Sequence, residues 1–548
     1  MFSWVLLVSA ALFQGSQAFT GLRMRVEAGQ SIAVPEGWTA EKKVQETEGI
    51  SLVFAVKQRN LQQLEDLFWK VSTPGTKHYR QFLSHNEIND LISPEQTSID
   101  TITTWLSEAG LDVENKCNWT KAKEFLSCVM PCYMANSLLD VTFSVFRHGE
   151  TKQTTVRATH HYTLPVSVIG HIDFVGNVHR FPPVAKRTQR VKKSNGLVEL
   201  QTPSSLRERY NVGSAIAGKS SINIQAVAQF TGQYYGKTDL SEFFKLFGSS
   251  FVHRADVDKV IGPNKFPSGG EANLDVQYIM SLGANATTWF WSTGGAHEKQ
   301  EPFLQWMLDI ANATVIPQVM SVSYGDQENS LSVDYMDRTN QEFMKQGVRG
   351  MSLLFASGDA GANCRNHVLL PFFPASSPYV TTVGGTEGLL DIGTERATLL
   401  SSGGFSNVYS QPQYQTAAVS HYLSTSKFLP AASYNRTGRA FPDVAAMAMD
   451  FMIVDELIPQ PVDGTSCATP TFAGIIALIN DALLASGKKQ LGFLNPFLYS
   501  HASALLDITE QCSGGCLNKG WCAAVGWDAV TGLGTPNYEN LLKAAMAQ

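Results

Sequence analysis

Apolar positions follow one rhythm before residue 180 and another after residue 197. Residues 50–56 are apolar except for Ser51, which predicts a strand, and Leu61, Leu64, Leu67 and Phe68 follow at helical spacing. Residues 138–146 pass from a helical to a strand-like pattern, so the stretch from about 19 to 180 is expected to be mixed α+β. Residues 186–196 are polar and basic and lack apolar periodicity, as an exposed linker open to proteolysis would. An uncut tether between domains is the alternative. Beyond Leu197, strand patterns at 222–228, 318–324 and 353–357 alternate with helical ones at 239–247 and 332–346, which implies an α/β domain with a parallel sheet. Ligand sites in such sheets lie beyond the carboxyl ends of the strands. Two of those ends carry Ser323-Tyr324-Gly325-Asp326 and Ser357-Gly358-Asp359. A last apolar run, 471–484, predicts a buried helix, introduced by Gly464-Thr-Ser-Cys-Ala-Thr-Pro470.

Residues 1–18 carry an apolar stretch, Trp4 to Phe13, that ends in small and polar residues, as a secretory signal does. No later run of about 18 uncharged apolar residues follows, so a soluble processed protein is expected. The sequons at Asn118, Asn285, Asn312 and Asn435 fit a glycosylated secretory protein. A net charge of −6 with 16% charged residues argues against nucleic-acid and membrane-surface partners. The 548 residues, 44% apolar, suffice for at least two domains. Eight cysteines in an oxidising compartment should mostly pair. Cys117 and Cys128 bracket two strands and a turn, and Cys512, Cys516 and Cys522 cluster with Cys364 free to join them. Cys132 and Cys467 are expected to stay unpaired, and no cysteine or histidine set has zinc spacing.

Ser466 should lie at or just before a helix N-terminus, with Pro470 in the first turn. Free amides and the helix dipole favour an anion there, such as the oxyanion of acyl transfer. An ordinary capping serine satisfies the same pattern. A serine nucleophile needs a base, commonly His. Of His253, His297, His367, His421 and His501, none is followed by Gly, so the His-Gly motif of a subtilisin-like chain is missing. Glu271 and Asp275 offer carboxylates instead, i and i+4 on one predicted helix face. If both ionise they repel, and sharing a proton removes the repulsion. A solvated helix face is the other reading of that pair.

Gly464-Thr-Ser-x-x-x-Pro470, Glu271-x-x-x-Asp275 and Ser357-Gly-Asp359 together resemble the sedolisin family of serine-carboxyl peptidases. Ser-Tyr-Gly-Asp326, residues 373–385 and Gly-Phe-Leu-Asn-Pro496 narrow the resemblance to a vertebrate lysosomal branch. It implies a signal peptide (1–18), an α+β prodomain (19–196) acting as chaperone and inhibitor, and a subtilisin-like peptidase domain (197–548). It also implies lysosomal release of tripeptides from free peptide N-termini. By resemblance Ser466 is the nucleophile, Glu271 its base, Asp275 the residue that orients Glu271, and Asp359 part of the oxyanion hole. A calcium site is implied at Asp507, Ile508, Ala524, Gly526 and Asp528, with Ala524 where the family usually has Gly. The implied disulfides are Cys117–Cys128, Cys364–Cys516 and Cys512–Cys522. Two positions depart from the family: Asp463 stands where Ser is common, and Cys467 where a small residue is usual. Alternatives to the exopeptidase are an acid endopeptidase and a catalytically dead calcium-binding glycoprotein.

Overall fold

A computed structural model describes residues 22–27, 33–182, 200–293, 303–365, 368–388, 395–425, 433–515 and 520–548. The signal segment, the linker at 186–196, and His297, His367 and Cys516 lie outside the described residues.

Two units pack together. In the first, β1 (Gly49–Val56) leads into α1 (Leu61–Ser72), as the pattern predicts. β2 (Cys117–Trp119), β3 (Phe125–Pro131) and β4 (Ile172–Gly176) complete an antiparallel sheet in the order β2-β3-β1-β4. β1 is apolar on both faces because each face meets a different core. Leu52, Phe54 and Val56 pack inside the first unit, whereas Val53 and Ala55 pack into a core shared with the second. A two-residue period thus divides one strand between two interiors.

The second unit is an eight-stranded sheet, built from β5 (Ile224–Gln229), β6 (Lys259–Ile261), β7 (Thr287–Ser292), β8 (Val319–Val322), β9 (Ser352–Ala356), β10 (Thr381–Gly388), β11 (Glu395–Ala397) and β12 (Val444–Met447). Their order is β6-β7-β5-β8-β9-β10-β11, with β12 also beside β10. All pairings are parallel except β10 with β11. α2 (Gly270–Leu282) and α4 (Thr465–Ala485) pack as a pair over the sheet, and α3 (Val333–Val348) faces the first unit. α4 is long and apolar enough to cross a membrane, but it is buried as the core helix of the domain.

The interface between units is a mixed core. Leu64, Phe68, Ile88 and Ile92 of the first unit pack with Met344, Val348 and Phe493 of the second. A buried ion network crosses the same interface. Lys345 Nζ lies 2.7 and 2.8 Å from the two carboxylate oxygens of Glu124 and 2.7 Å from Glu342. Arg338 lies 3.6 Å from Glu124, 3.1 Å from Asp173 and 3.4 Å from Glu342.

Candidate active site

α4 begins at Thr465, so Ser466 stands in its first turn, where backbone amides lack intrahelical partners, and is 9% exposed. The start is earlier than the apolar run suggests, because Thr465 is tied down from outside the helix. Its N–H and hydroxyl both donate to Asp359 Oδ1, at 2.7 and 2.8 Å. Pro470 consequently falls in the second turn rather than the first. Its missing N–H would have met the carbonyl of Ser466, four residues back. Gly464, at φ +149°, makes the turn into the helix, and a Cβ there would sit 3.1 Å from Asp359 Oδ2.

Glu271 opens α2 and Asp275 lies one turn on, both on the face turned inward. The solvated-face reading of the pair is therefore excluded: Asp275 is fully buried and α2 is buried from Ala272 to Leu282. α2 meets α4 almost backbone to backbone, since a Cβ on Gly474 would fall 2.5 Å from the Gly283 nitrogen. That close approach brings Glu271 to Ser466. Burial pushes the Glu271 carboxyl up to about 7, and the charge of Asp359 adds to the rise. The hydroxyls of Ser466 and Ser323 act against it, favouring the ionised form. Asp275 is raised well above the usual carboxylate range by burial and then by the charge of Glu271. Both carboxyls are therefore raised, and each one's charge disfavours ionisation of the other.

Ser323 Oγ donates to Asp275 Oδ1 at 2.9 Å, and Gln229 Nε2 donates to Asp275 Oδ2 at 2.5 Å. Tyr324 turns inward, its hydroxyl donating to Gln229 Oε1 at 2.9 Å. Gln229 is a contact the sequence did not single out, although it ends a recognisable strand pattern; Thr465 lies within the Gly-Thr-Ser motif, but its bonds to Asp359 were not read from it. Asp326 is half-buried on a two-residue strand paired with Phe372–Phe373. None of His253, His421 and His501 joins the site: His253 stacks on Phe244, His421 is exposed on a helix surface, and His501 packs on Phe497. Cys467 is fully buried beside the Val462 carbonyl, a packed side chain. Asp463 accepts from the Asp450 amide at 2.7 Å; burial, followed by the charges of Asp359 and Glu387, raises its carboxyl.

At the implied calcium site, two carboxylates grip one turn. Asp507 Oδ2 accepts from Gly526 N at 2.8 Å, and Asp528 Oδ2 from Ala524 N at 3.2 Å and Thr531 Oγ1 at 3.0 Å. Asp528 Oδ1 accepts from the amides of Val530 and Thr531, each at 2.9 Å. Asp528 is fully buried among these neutral donors, and burial pushes it up to about 7. A buried carboxylate in that position, beside an open turn at Gly526, suits a cation with hard oxygen ligands. Among the described residues no group of three or more His, Cys, Asp or Glu could hold a metal, so such an ion would depend on backbone carbonyls as well.

Cys117–Cys128 and Cys512–Cys522 are disulfides, Cys364 is disulfide-bonded, and Cys132 and Cys467 are free and buried. Of the sequon asparagines, Asn118 is exposed, whereas the Nδ2 groups of Asn285, Asn312 and Asn435 donate to the carbonyls of Gly218, Leu308 and Ser406.

Residues 36–181 match the family model "Pro-kumamolisin, activation domain". The chain is 45% identical over 540 residues to tripeptidyl-peptidase 1 of Mus musculus, covering 95% of this chain and 96% of the relative. It is 44% identical over 542 residues to tripeptidyl-peptidase 1 of Homo sapiens, again covering 95% and 96%. A Pseudomonas sedolisin (serine-carboxyl proteinase), complexed with two molecules of pseudo-iodotyrostatin, matches with TM-score 0.52 and 22% identity. It covers 64% of this chain and 100% of that one, and the likeness is one of fold.

Proposed function

The chain belongs to the tripeptidyl-peptidase 1 family, and from that premise we propose a lysosomal peptidase, made as a zymogen and activated by acid, that releases tripeptides from free peptide N-termini. One observation carries this reading: Glu271, backed one turn on by the fully buried Asp275, stands at a helix-start serine, with Asp359 clamped beside that serine by Thr465.

Ser466 attacks the scissile carbonyl and passes its proton to Glu271. A protonated Asp359 donates to the oxyanion. Ionised, it would repel the charge it should stabilise. With Asp359 protonated, its contribution to the raised Glu271 carboxyl disappears, and the two hydroxyls keep Glu271 ionised further into acid. A histidine base would be mostly protonated near pH 5, whereas a carboxylate can still accept. Activity thus requires a neutral Asp359 together with an ionised Glu271, and it should fall as pH rises toward 7.

Residues 19–196 act as the inhibitory prodomain, with cleavage near Leu197. Calcium at Asp507 and Asp528, with the carbonyls of Ile508, Ala524 and Gly526, would neutralise a buried carboxylate and tie down the loops around Cys512–Cys522. Asp326 is proposed to take the substrate's amino group, and Asp326→Asn should weaken the preference for a free N-terminus.

The deciding experiment acidifies purified precursor to about pH 4, where carboxyls begin to protonate, and then assays a free-amine tripeptide amide. Wild type should shorten to an N-terminus near Leu197 and cleave the amide; Ser466→Ala should do neither. Rapid cleavage of an N-blocked peptide would favour an endopeptidase, and a rate that rises through pH 7 would sink the mechanism.

A further inference from the structure

His85 is buried where the prodomain meets the helix Leu304–Asn312 of the peptidase domain, far from any role in the reaction scheme. Its Nε2 lies 3.0 Å from the Ala311 carbonyl oxygen, and the side-chain amide of Asn89 stands 3.1 Å from the same nitrogen. A carbonyl can only accept, so Nε2 carries a hydrogen. Nδ1 is buried without a hydrogen-bonding partner, as suits an unprotonated nitrogen. A second proton there would put a charge into the interface with nothing to receive its N–H.

The charges facing the ring are positive. His85 is the first residue of the helix His85–Ile92, at the positive end of its dipole. Arg349, just past α3, faces it with Lys121 of the prodomain and Lys345 of α3. Arg349 is held in place, its Nη2 donating to the carbonyls of Ala313 at 2.7 Å and Thr314 at 3.0 Å, and its Nη1 to Gln346 Oε1 at 3.0 Å. The Lys121 segment is tied to the same helix end, its amide donating to Asn312 Oδ1 at 2.9 Å. Neighbouring carboxylates are engaged elsewhere: Glu87 with the Ser84 amide and hydroxyl, Asp309 with Gln305, and Glu124 and Glu342 with Lys345, while Asp90 is exposed. Burial holds the imidazole below its ordinary range; the Ala311 carbonyl acts against burial, and the three cations act with it.

We propose that His85 is an acid trigger of the zymogen, a buried imidazole at the domain interface whose protonation is compatible only with a lifted prodomain. This rests on the reading of the chain as an acid-activated zymogen, and adds the group that senses the first fall in pH. A ring that binds its proton less well when seated contributes to closure in full above its free value, about 6.5. That contribution is lost as pH falls from there toward the depressed value of the seated ring. Closure should weaken by up to about tenfold per pH unit in that window, until the seated ring itself takes a proton. The Glu124 pairing holds down to about 4.5, so the histidine acts before the carboxylates do.

The test uses full-length precursor carrying Ser466→Ala, so that closure is read without processing, alone or combined with His85→Gln or Lys121→Gln. Amide exchange of residues 85–92 and 304–312 is followed by mass spectrometry at about pH 7.5 and about pH 5.5, one unit either side of the free imidazole value. Chains are compared with one another at the same pH. Glutamine keeps an N–H for Ala311 but takes no proton. Relative to His85→Gln, the His85 chain should open about 3- to 10-fold more at the lower pH than at the higher. Lys121→Gln, at an exposed side chain, removes one facing cation and should reduce that step. With Ser466 restored, His85→Gln should process more slowly than wild type at the lower pH, while kcat/KM of the matured enzyme is unchanged. An exchange ratio that is the same at both pH values overturns the trigger and leaves His85 a packing residue. So does a His85→Gln processing profile that superimposes on wild type. Failure of wild type to process at any acid pH would sink the zymogen reading instead, with the exchange ratio still to be read on its own.

Discussion

Removing the ammonium of Lys345 should loosen the prodomain without touching the chemistry. Lys345 sits on α3, and its Nζ bridges Glu124 of the prodomain, at 2.7 and 2.8 Å, to Glu342 of its own helix at 2.7 Å. All three side chains are essentially excluded from solvent. Lys345→Met keeps most of the aliphatic stem and leaves Glu124 and Glu342 to share Arg338. Breaking one partner out of a buried pair costs about 3–5 kcal/mol, because the remaining charge stays buried without compensation. At about 1.4 kcal/mol per factor of ten, closure of the zymogen interface should weaken by roughly 10²- to 4 × 10³-fold. The pH dependence follows from the carboxylates. Although both are desolvated, Lys345 and Arg338 hold Glu124 below the usual range. Its contribution is therefore present above its free value, near 4.5, and lost as pH falls through the depressed one. Glu342 is raised by burial and by the charge of Glu124, and so protonates first. In wild type this pairing is lost only at the acid end of the range, whereas Lys345→Met lacks it at neutrality. The variant should process itself faster at pH 5–6, with its activation midpoint moved upward, while kcat/KM of the matured enzyme is unchanged. Processing is followed by gel and N-terminal sequencing against pH. Glu124→Leu combined with Lys345→Met should recover part of the closure, since apolar pairs commonly replace buried ion pairs. A single variant that processes with the wild-type midpoint and rate, from a zymogen of unaltered melting temperature, would refute the reasoning.

Asp359→Asn keeps a donor for the oxyanion but removes the group whose ionisation shuts the site, so kcat should fall while the alkaline limb of the pH–rate profile moves up; an unmoved limb would assign that limb to another group. Gly464→Ala forces a Cβ to 3.1 Å from Asp359 Oδ2 at φ +149° and should cut kcat by about 10-fold or more, read against a Gly487→Ala control whose Cβ meets nothing within 4 Å. A calcium chelator, or Asp528→Ala, should lower the melting temperature of the matured enzyme by several degrees, about 1–3 kcal/mol, and calcium should restore the wild type but not the variant. Restoration of both would place the ion elsewhere.

Local patterns sufficed for much of this protein. Strand and helix alternation after residue 197 gave away the parallel sheet, since each buried strand and each amphipathic helix leaves its own periodicity. The Gly-Thr-Ser motif and the i, i+4 spacing of Glu271 and Asp275 were visible because residues one helical turn apart share a face whatever the fold. The same spacing could not say whether that face met water or the interior. Burial of Asp275 was decided by α4, which closes on α2 where Gly474 meets Gly283, two positions 191 residues apart in the numbering of the chain. The early start of α4 and the displacement of Pro470 came likewise from Asp359, 106 residues upstream of Thr465. Gln229 was silent in sequence because a glutamine at a strand end has no pattern to betray a partner 46 residues away. The carboxylates were legible as a motif; their titration, and so the working range of the serine, belongs to contacts that exist only once the chain has folded.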